Sequence, residues 1–335
     1  MMIERLPLSA PRLSPNPRRV LVLGATGTTG RSTVRALIER GHQPVCFLRP
    51  RKRAGGGLEG AVIRYGDVTD PTSIVRDCFR GERFGALVSC MASRTGAPKD
   101  AWAIDHEAHE AVLTAAVDSG ISHMVLLSAI CVQKPRLAFQ HAKLAFEEIL
   151  RGSGVTYSIV RPTALFKSLS GQIERLRRGK PFVVFGDGAL TSCKPISSQD
   201  LANYLADCLD DKTCYNRILP IGGPGEAITP RQQGECLFAL LGLEPRFRHV
   251  PVTLLDAVAA SLKVLARVAP ALEAKAEFAQ IARYYATESM LALDPLTGRY
   301  NANATRSVGS ETLFDFYARA IRGEVSIERE ELALF

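Results

Sequence analysis

Three glycines at regular spacing follow the first apolar run of the chain. The run RRVLVLG leads directly into GATGTTGR. In a strand–turn–helix unit, such glycines permit a tight turn, a close approach of the backbone to a pyrophosphate and close helix–sheet packing. The N–H groups and the positive dipole end of the following helix then face the phosphates. A structural glycine turn is the alternative, but the context predicts a dinucleotide site, to which we assign Gly24, Thr26, Gly27, Thr28, Thr29 and Gly30.

The charges after the second apolar run bear on which dinucleotide binds. Arg49 is followed by the segment PRKR, whereas an NAD site usually carries an acidic residue here for the ribose diol. Cations match the 2′-phosphate of NADP, so the sequence predicts NADPH, with Arg49 and Arg51 as its ligands and a solvated basic loop as the alternative. Asp67, in GDVTD, can either accept a hydrogen bond from the adenine amino group or form a turn.

The elements that must position these residues alternate along the first half of the chain. Between residues 18 and 162, short runs rich in Val, Ile and Leu alternate with helical stretches. Such runs suit strands buried on both faces, and the alternation indicates a parallel sheet with right-handed crossovers. The predicted class is therefore α/β, a Rossmann-like doubly wound parallel sheet.

The alternation breaks after residue 162, and the rest of the chain divides differently. We expect a smaller, mostly helical C-terminal part over the carboxyl ends of the strands, where such sheets bind ligands. The predicted division is a flexible tail over 1–17, an NADP-binding domain over 18–162 with a return at 194–222, and a substrate-binding part over 163–193 and 223–335.

Composition restricts the class of protein further. The chain has 335 residues, 46% hydrophobic and 23% charged, with a net charge of +8. That is typical of a globular protein. The mild positive charge fits an anionic small ligand as well as nucleic acid and does not decide between them. We expect no nucleic-acid partner. The eight cysteines form no C-x-x-C pair, so we expect no iron–sulfur cluster or structural zinc, and a reducing, cytoplasmic compartment.

Residues 252–272 are too charged to span a membrane and predict an amphipathic helix, with a weak peripheral membrane contact as the alternative.

Ser128 and the segment FQHAK resemble the short-chain dehydrogenase/reductase superfamily of the extended or atypical type. In most of that superfamily Ser, Tyr and Lys act together, with Tyr four residues before Lys; here Phe139 precedes Lys143. Phe has no transferable proton, which argues against an alcohol dehydrogenase or a sugar epimerase. The resemblance implies that Ser128 and Lys143 are catalytic, and that Lys143 can also bind the nicotinamide ribose. His141 lies about 200° round the helix from Lys143 and should face elsewhere.

Four longer segments are similar to the divinyl chlorophyllide a 8-vinyl-reductase family. They are RPTALFKSLSGQIERL, KPFVVFGDG, LPIGGPGEAITPRQQGECLFALLG and ARYYATESMLALDPLTGRY. That family carries the Phe-x-x-x-Lys variant. The resemblance implies an NADPH-dependent reduction of the C8 vinyl group of divinyl chlorophyllide a, or a related Mg-tetrapyrrole, in chlorophyll or bacteriochlorophyll synthesis. A plant-type transit peptide is not seen, so we expect a bacterial cytoplasmic protein, with a peripheral position at the photosynthetic membrane as the alternative.

The same resemblance implies roles for further residues. The proton can come from Lys143, from water or from Tyr284 or Tyr285. The cofactor ribose and nicotinamide are expected near the ends of the fourth and sixth strands, and the substrate near residues of the helical part. The cofactor contacts are Ala92, Ser93, Pro162 and Thr163; the substrate contacts are Phe139, Arg161, Phe166, Tyr284 and Tyr285.

Some of these roles have plainer alternatives. Phe166 suits an ordinary core as well as a flat aromatic pocket. Lys167 and Arg161 are candidates for the ring propionate, but lysines are commonly solvated. His249 is a candidate axial ligand of the substrate magnesium, although a lone His before Pro is more often structural. For the whole chain, the alternatives are an NADP-sensing regulatory or assembly protein on the same fold, or another atypical ene reductase.

Overall fold

The secondary structure alternates between strands and helices as far as residue 162. The computed structural model describes residues 13–50, 56–266, 269 and 272–325. The strands are β1 (Arg19–Leu23), β2 (Gln43–Leu48), β3 (Val62–Tyr65), β4 (Ala86–Ser89), β5 (His123–Leu127), β6 (Thr156–Pro162), β7 (Phe182–Phe185), β8 (Arg217–Gly222), β9 (Phe247–Val250), β10 (Ala292–Leu293), β11 (Tyr300–Asn301) and β12 (Arg306–Ser307).

Helices connect most of these strands. The α-helices are α1 (Thr28–Glu39), α2 (Pro71–Ser73), α3 (Pro98–Ala101), α4 (Ala108–Asp118), α5 (Ala138–Gly152), α6 (Phe166–Leu169), α7 (Ile173–Arg177), α8 (Ser198–Asp207), α9 (Pro230–Leu241), α10 (Val252–Ala266), α11 (Glu273–Thr287) and α12 (Leu313–Ile321). Two π-helical segments, Ile74–Phe79 and Trp102–Glu107, and two 3-10 helices, Ile130–Gln133 and Lys212–Cys214, complete them.

Eight of the strands form one parallel sheet in the order β12-β8-β6-β5-β4-β1-β2-β3. The strand order reverses between β1 and β4, which is the switch point at which doubly wound sheets bind nucleotides. Strands such as β1 and β4 are rich in Val and Leu because helices cover both of their faces. The sheet confirms the predicted Rossmann-like class.

The two faces of the sheet have separate apolar cores. On one face α1 packs against α8, and both contribute aliphatic side chains such as Leu37 and Leu205. On the other face α4 and α5 supply Val112 and Phe146. Each core residue named is at most 1% exposed, so the carboxyl ends of the strands are held on a rigid base.

The C-terminal part contains four strands that the sequence analysis missed, β9 to β12. It is mostly helical, as expected, but β7 pairs with β9, β10 pairs with β11, and β12 joins the edge of the large sheet beside β8. β7 is the apolar run FVVF, whereas β9, β11 and β12 contain polar or charged residues and β10 is only two residues long, so no strand pattern marks those four.

The predicted amphipathic helix over 252–272 corresponds to α10, which packs against α11. Leu254 and Val264 of α10 are 53% and 61% exposed. In the described part of the chain, none of the helices has the length and apolarity needed to cross a membrane. The eight cysteines, all of them described, are free thiols.

Candidate functional site

The glycine loop between β1 and α1 is shaped by direct backbone contact. Gly24 has a φ of +71°, and a Cβ there would lie 2.5 Å from the backbone of Cys90. A Cβ on Gly30 would lie 2.1 Å from the carbonyl oxygen of Gly24. A Cβ on Gly27 would meet only that oxygen, at 3.6 Å, so the space in front of Gly27 is open. Two glycines therefore fix the loop, and the third leaves room for a ligand.

The start of α1 is suited to an anion. Gly27 is the N-cap residue and supplies no side-chain cap, and the first turn contains no acidic residue. The N–H groups of that turn are thus left for another acceptor, and the helix dipole favours negative charge there. Thr26 is half-buried and Thr29 is buried beside them. The loop fits the pyrophosphate of a dinucleotide, as the glycine spacing predicts.

The end of β2 carries the predicted cation. Arg49 is exposed, and Arg51 lies outside the described residues. Asp67 Oδ1 accepts hydrogen bonds from Thr69 N at 2.9 Å and Thr69 Oγ1 at 2.7 Å. Asp67 therefore forms a turn, which is the second of the two roles that the sequence allows. These hydrogen bonds lower the pKa of Asp67, and the positive charge of Arg49 lowers it further. The structure therefore brings Arg49 and Asp67 to one corner of the sheet.

Lys143 is paired with a carboxylate that the sequence analysis missed. Its Nζ donates to Asp105 Oδ1 at 2.9 Å, and the side chains are 11% and 0% exposed. The backbone N–H of Ser93 donates to the same oxygen at 3.2 Å. Asp105 Oδ2 is buried without a hydrogen-bond partner among the described residues. A buried, unsatisfied acceptor beside the predicted ribose contacts fits a hydroxyl or amide donor of a bound nucleotide.

No motif marks Asp105 in the sequence. It lies in the π-helical segment Trp102–Glu107, and its ion pair joins residues 38 positions apart on two helices. His109, four residues after Asp105, links this segment to the sheet. Its Nδ1 hydrogen-bonds Ile104 O at 2.8 Å, and its Nε2 hydrogen-bonds Ser89 Oγ of β4 at 2.8 Å. Burial lowers the pKa of His109 to about 4, and the charge of Lys143 adds to the effect. The imidazole is therefore neutral at neutral pH.

Ser128 and Arg161 meet on a second buried carboxylate. Ser128 Oγ donates to Glu147 Oε1 at 2.5 Å, and the Arg161 guanidinium forms a two-point ion pair with Glu147. Glu147 lies one turn after Lys143 on α5. The sequence analysis did not identify it as a site residue. Ser128, the predicted catalytic serine, and Arg161, a candidate ligand of the ring propionate, are thus linked through the Glu147 carboxylate.

Helix α11 forms an apolar wall against the start of α5. Phe139 and Tyr285 lie at the edge of a cluster formed by Cys131, Leu137, Ile281 and Tyr284. Tyr284 donates to the carbonyl oxygens of Cys131 and Lys134 at 2.9 and 3.1 Å. Burial raises the pKa of Tyr284 and of Tyr285. Both phenols are therefore weaker acids than a tyrosine in water.

The other predicted residues are spread more widely. Phe166 is buried in the C-terminal core, with its ring 5.4 Å from that of Phe316. Thr163 Oγ1 donates to Lys194 O, and His249 Nδ1 hydrogen-bonds Gly186 O at 2.8 Å. Lys167 does not extend into solvent but donates to Thr28 Oγ1 at 2.7 Å. The remaining predicted contacts lie at strand ends, where Ala92 is exposed and Pro162 is buried.

A switch-point glycine loop on a parallel sheet defines an NAD(P)H-binding Rossmann protein. A family model described as NAD(P)H-binding matches residues 24–212. The divinyl chlorophyllide a 8-vinyl-reductase of Oryza sativa subsp. indica is 49% identical over 96% of this chain and 84% of its own length. That of Arabidopsis thaliana is 48% identical over 92% and 78%. The chain belongs to the divinyl chlorophyllide a 8-vinyl-reductase family.

Solved structures support the fold alone. An NADPH-dependent quinone oxidoreductase from Escherichia coli, complexed with NADPH, superposes with a TM-score of 0.65. The superposition covers 90% of this chain and 99% of that one, at 16% sequence identity. A nicotinamide cofactor is therefore consistent with both the family and the fold.

Proposed function

We propose that this chain is an NADPH-dependent oxidoreductase that reduces the C8 vinyl group of divinyl chlorophyllide a, or of a related Mg-tetrapyrrole, to an ethyl group. The observation that carries the proposal is the near-full-length similarity to 8-vinyl-reductases. The site geometry supports it: the largely buried side chain of Lys143 donates to Asp105, and Phe139 stands where carbonyl reductases of this fold carry a tyrosine.

The reaction needs a hydride, a proton and a place for the transient negative charge. NADPH supplies the hydride when it is bound. Addition to the terminal vinyl carbon leaves an electron pair that the conjugated macrocycle delocalises, and a proton on the adjacent carbon completes the ethyl group. Because the pigment holds the charge, the protein needs no strong oxyanion hole and no phenol at residue 139.

In this proposal the ammonium group of Lys143 stabilises the developing charge and supplies the proton. Its 11% exposure means that little water screens its charge. Asp105 and the Ser93 N–H fix its position. The tyrosines are poorer donors, because Tyr284 already donates to backbone carbonyls and its pKa is raised. Phe139 and the α11 wall exclude water.

We assign the 2′-phosphate of NADPH to Arg49. A charge-assisted contact contributes about 1.5–3 kcal/mol, or roughly tenfold to hundredfold in affinity. Arg49→Ala should therefore weaken NADPH binding by about that factor and leave NADH binding within about twofold, as measured by nicotinamide fluorescence. Equal weakening of both nucleotides would contradict the assignment.

We also propose a division of labour along the chain. Residues 18–162 and 194–222 hold the cofactor, and residues 163–193 and 223–335 cover the pigment. The exposed Leu254 and Val264 of α10 support a weak peripheral contact of this covering part with the photosynthetic membrane.

The decisive experiment is a pigment assay. Purified protein is incubated anaerobically with a reductant, divinyl chlorophyllide a and NADPH. We expect an absorption shift and a mass gain of two hydrogens in the product, with slower conversion when NADH replaces NADPH. Binding of the nucleotide without any conversion of pigment would instead favour a sensing or assembly protein.

A further inference from the structure

Two cations follow β5 and share one buried carboxylate. Lys134 Nζ donates to Glu288 Oε2 at 2.7 Å, and a guanidinium nitrogen of Arg136 lies 3.2 Å from Glu288 Oε1. Tyr300 OH donates to Glu288 Oε2 at 2.8 Å. The Glu288 side chain is 6% exposed, whereas those of Lys134 and Arg136 are 39% and 47% exposed. A ligand can therefore reach both cations from solvent.

The Lys134–Arg136 pair carries more positive charge than its partner neutralises. Among the described residues, Glu288 is the only carboxylate in ion-pair contact with either cation. Burial raises the pKa of Glu288, but the hydrogen bonds from Lys134 and Tyr300 and the two positive charges lower it further, so this carboxylate stays ionised. One positive charge is left in excess, on groups that offer only hydrogen-bond donors. The pair therefore suits an anion.

The Lys134–Arg136 pair borders the apolar wall that α11 forms. Tyr284 of α11 donates to Lys134 O at 3.1 Å, and the backbone N–H of Arg136 donates to Gln140 Oε1 on α5 at 2.7 Å. The pair follows β5 and so lies at the edge of the sheet where ligands bind. Arg136 precedes Lys143 by seven positions, or roughly 10 Å along the direction of α5. The start of α5 thus separates the two cations from Lys143.

The proposed substrate has a matching distribution of charge. Chlorophyllide is a flat apolar macrocycle, and its free carboxylate, the propionate, is on the pyrrole ring opposite the ring that bears the C8 vinyl group. When the vinyl group lies beside Lys143, the propionate is therefore about one macrocycle width away. A macrocycle that lies along the apolar wall brings its carboxylate within reach of Lys134 and Arg136.

The cations that the sequence suggests for the propionate have other partners. Arg161 forms a two-point ion pair with Glu147, and its side chain is only 13% exposed. Lys167 donates to Thr28 Oγ1 at the start of α1. The pair after β5 is the better candidate, because its two side chains are exposed and share a single carboxylate.

We propose that Lys134 and Arg136 bind the free carboxylate of the pigment and thereby make the enzyme selective for free-acid pigments over their esters. This inference rests on the proposed vinyl reduction and names the class of pigment that the same site prefers. An ester carries no negative charge at this position, so it loses the attraction of the excess positive charge. The proposal replaces the expectation that Arg161 or Lys167 is the propionate ligand.

The first test uses the wild-type chain with divinyl chlorophyllide a and with its methyl ester at the propionate. Both are assayed with saturating NADPH and the same low concentration of detergent. We expect KM to be about threefold to tenfold lower for the free acid, as two partly exposed charge contacts should give. Added salt should raise KM for the acid and leave KM for the ester nearly unchanged. Equal KM values at low salt would overturn the proposal.

The second test compares variants of the pair with both pigments. Arg136→Gln and Lys134→Gln should each raise KM for the free acid towards the value for the ester, by about twofold to fivefold. Arg136→Lys keeps the charge and should change this KM by less. Each single variant leaves Glu288 one cation and Tyr300 as partners, and thermal unfolding checks that it folds. Lys180→Gln, at an exposed lysine elsewhere in the chain, is the matched control and should change neither KM.

The outcomes separate this inference from the function on which it rests. A wild-type chain that reduces neither pigment would refute the proposed function. If the wild type reduces both pigments and Arg136→Gln and Lys134→Gln raise KM for acid and ester by the same factor, the inference is overturned, because the pair then only supports the fold. A rise confined to the free acid supports it. If both variants fail to fold, the comparison of acid and ester on the wild type decides.

Discussion

The glycine loop and the α10–α11 helix pair are held together by different kinds of contact. In the loop, backbone meets backbone, and a Cβ on Gly30 would lie 2.1 Å from the carbonyl oxygen of Gly24. Between α10 and α11, side chains such as Leu255 and Phe278 line an open apolar groove of about 450 Å³. The loop has no room for an added Cβ at Gly24 or Gly30, whereas the helix pair leaves apolar surface uncovered. Backbone geometry thus fixes the glycine loop, whereas adaptable side-chain packing forms the α10–α11 helix pair.

The largest expected effect tests the rigidity of the loop. Gly30→Ala places a methyl group inside the contact distance of backbone that cannot move away, so we expect a loss of more than about 4 kcal/mol in the free energy of unfolding. Gly27→Ala is the matched control: its Cβ meets only an oxygen at 3.6 Å, so it should fold normally but bind NADPH poorly. Urea unfolding and nucleotide titration measure the two effects. A stable Gly30→Ala protein would show that backbone contact does not fix the glycine loop.

The next effect concerns the lysine between the two regions. Lys143→Met removes a positive charge that is only 11% exposed, and we expect kcat to fall about 10²- to 10³-fold, or about 3–4 kcal/mol. Asp105→Asn keeps an acceptor for the Ser93 N–H and loosens only the position of Lys143, so a fall of about tenfold is expected. Single-turnover reduction of the pigment gives both values. Unchanged turnover in Lys143→Met would exclude Lys143 from the chemistry.

A third effect is a loss of stability in acid that arises at His109, on α4 against the sheet, rather than in the helix pair. The pKa of His109 is about 4 in the folded protein against 6.5 in the unfolded chain, chiefly because of burial. The unfolded state therefore binds the extra proton, and this stability is present above pH 6.5 and is lost as the pH falls towards 4. At about 1.4 kcal/mol per pH unit, the loss is about 3 kcal/mol.

Urea unfolding of wild type and His109→Gln between pH 7 and pH 4 measures this loss. The variant should show a shallower decline, because the glutamine does not titrate. Some decline should persist, since burial also lowers the pKa of His123 to about 4. Identical pH profiles for the two proteins would show that His109 is not the titrating group.

The smallest expected effect tests the exposed face of the α10–α11 helix pair. Val264 is 61% exposed on α10, so Val264→Ser should change the free energy of unfolding by no more than about 0.5 kcal/mol. Leu37→Ala in the sheet core, at a residue with no exposure, should cost about 2–5 kcal/mol under the same conditions. Thermal unfolding compares the two. A large loss in Val264→Ser would mean that this face is buried against another molecule.

The sequence predicted the features that depend on local pattern. Buried strands of Val and Leu identified β1 to β6, and the glycine spacing located the loop, because both are short-range consequences of backbone geometry. Asp105 and Glu147 were missed because each acts through a partner on another element, and single acidic residues within helices carry no signal of that pairing. For the same reason Lys167 was not assigned to Thr28.

The pairing of β12 with β8 bears on how the chain folds while it is being synthesised. β8 ends at Gly222, and its neighbour at the sheet edge, β12, begins only at Arg306. Until the intervening residues 223–305 have left the ribosome, the carboxyl end of β8 exposes unpaired backbone groups, which are a template for association with other chains. A nascent chain must therefore leave the carboxyl end of β8 unpaired until Arg306 and Ser307 have been synthesised, and a premature stop codon before residue 306 would release a protein in which Ile221 and Gly222 lack this partner strand.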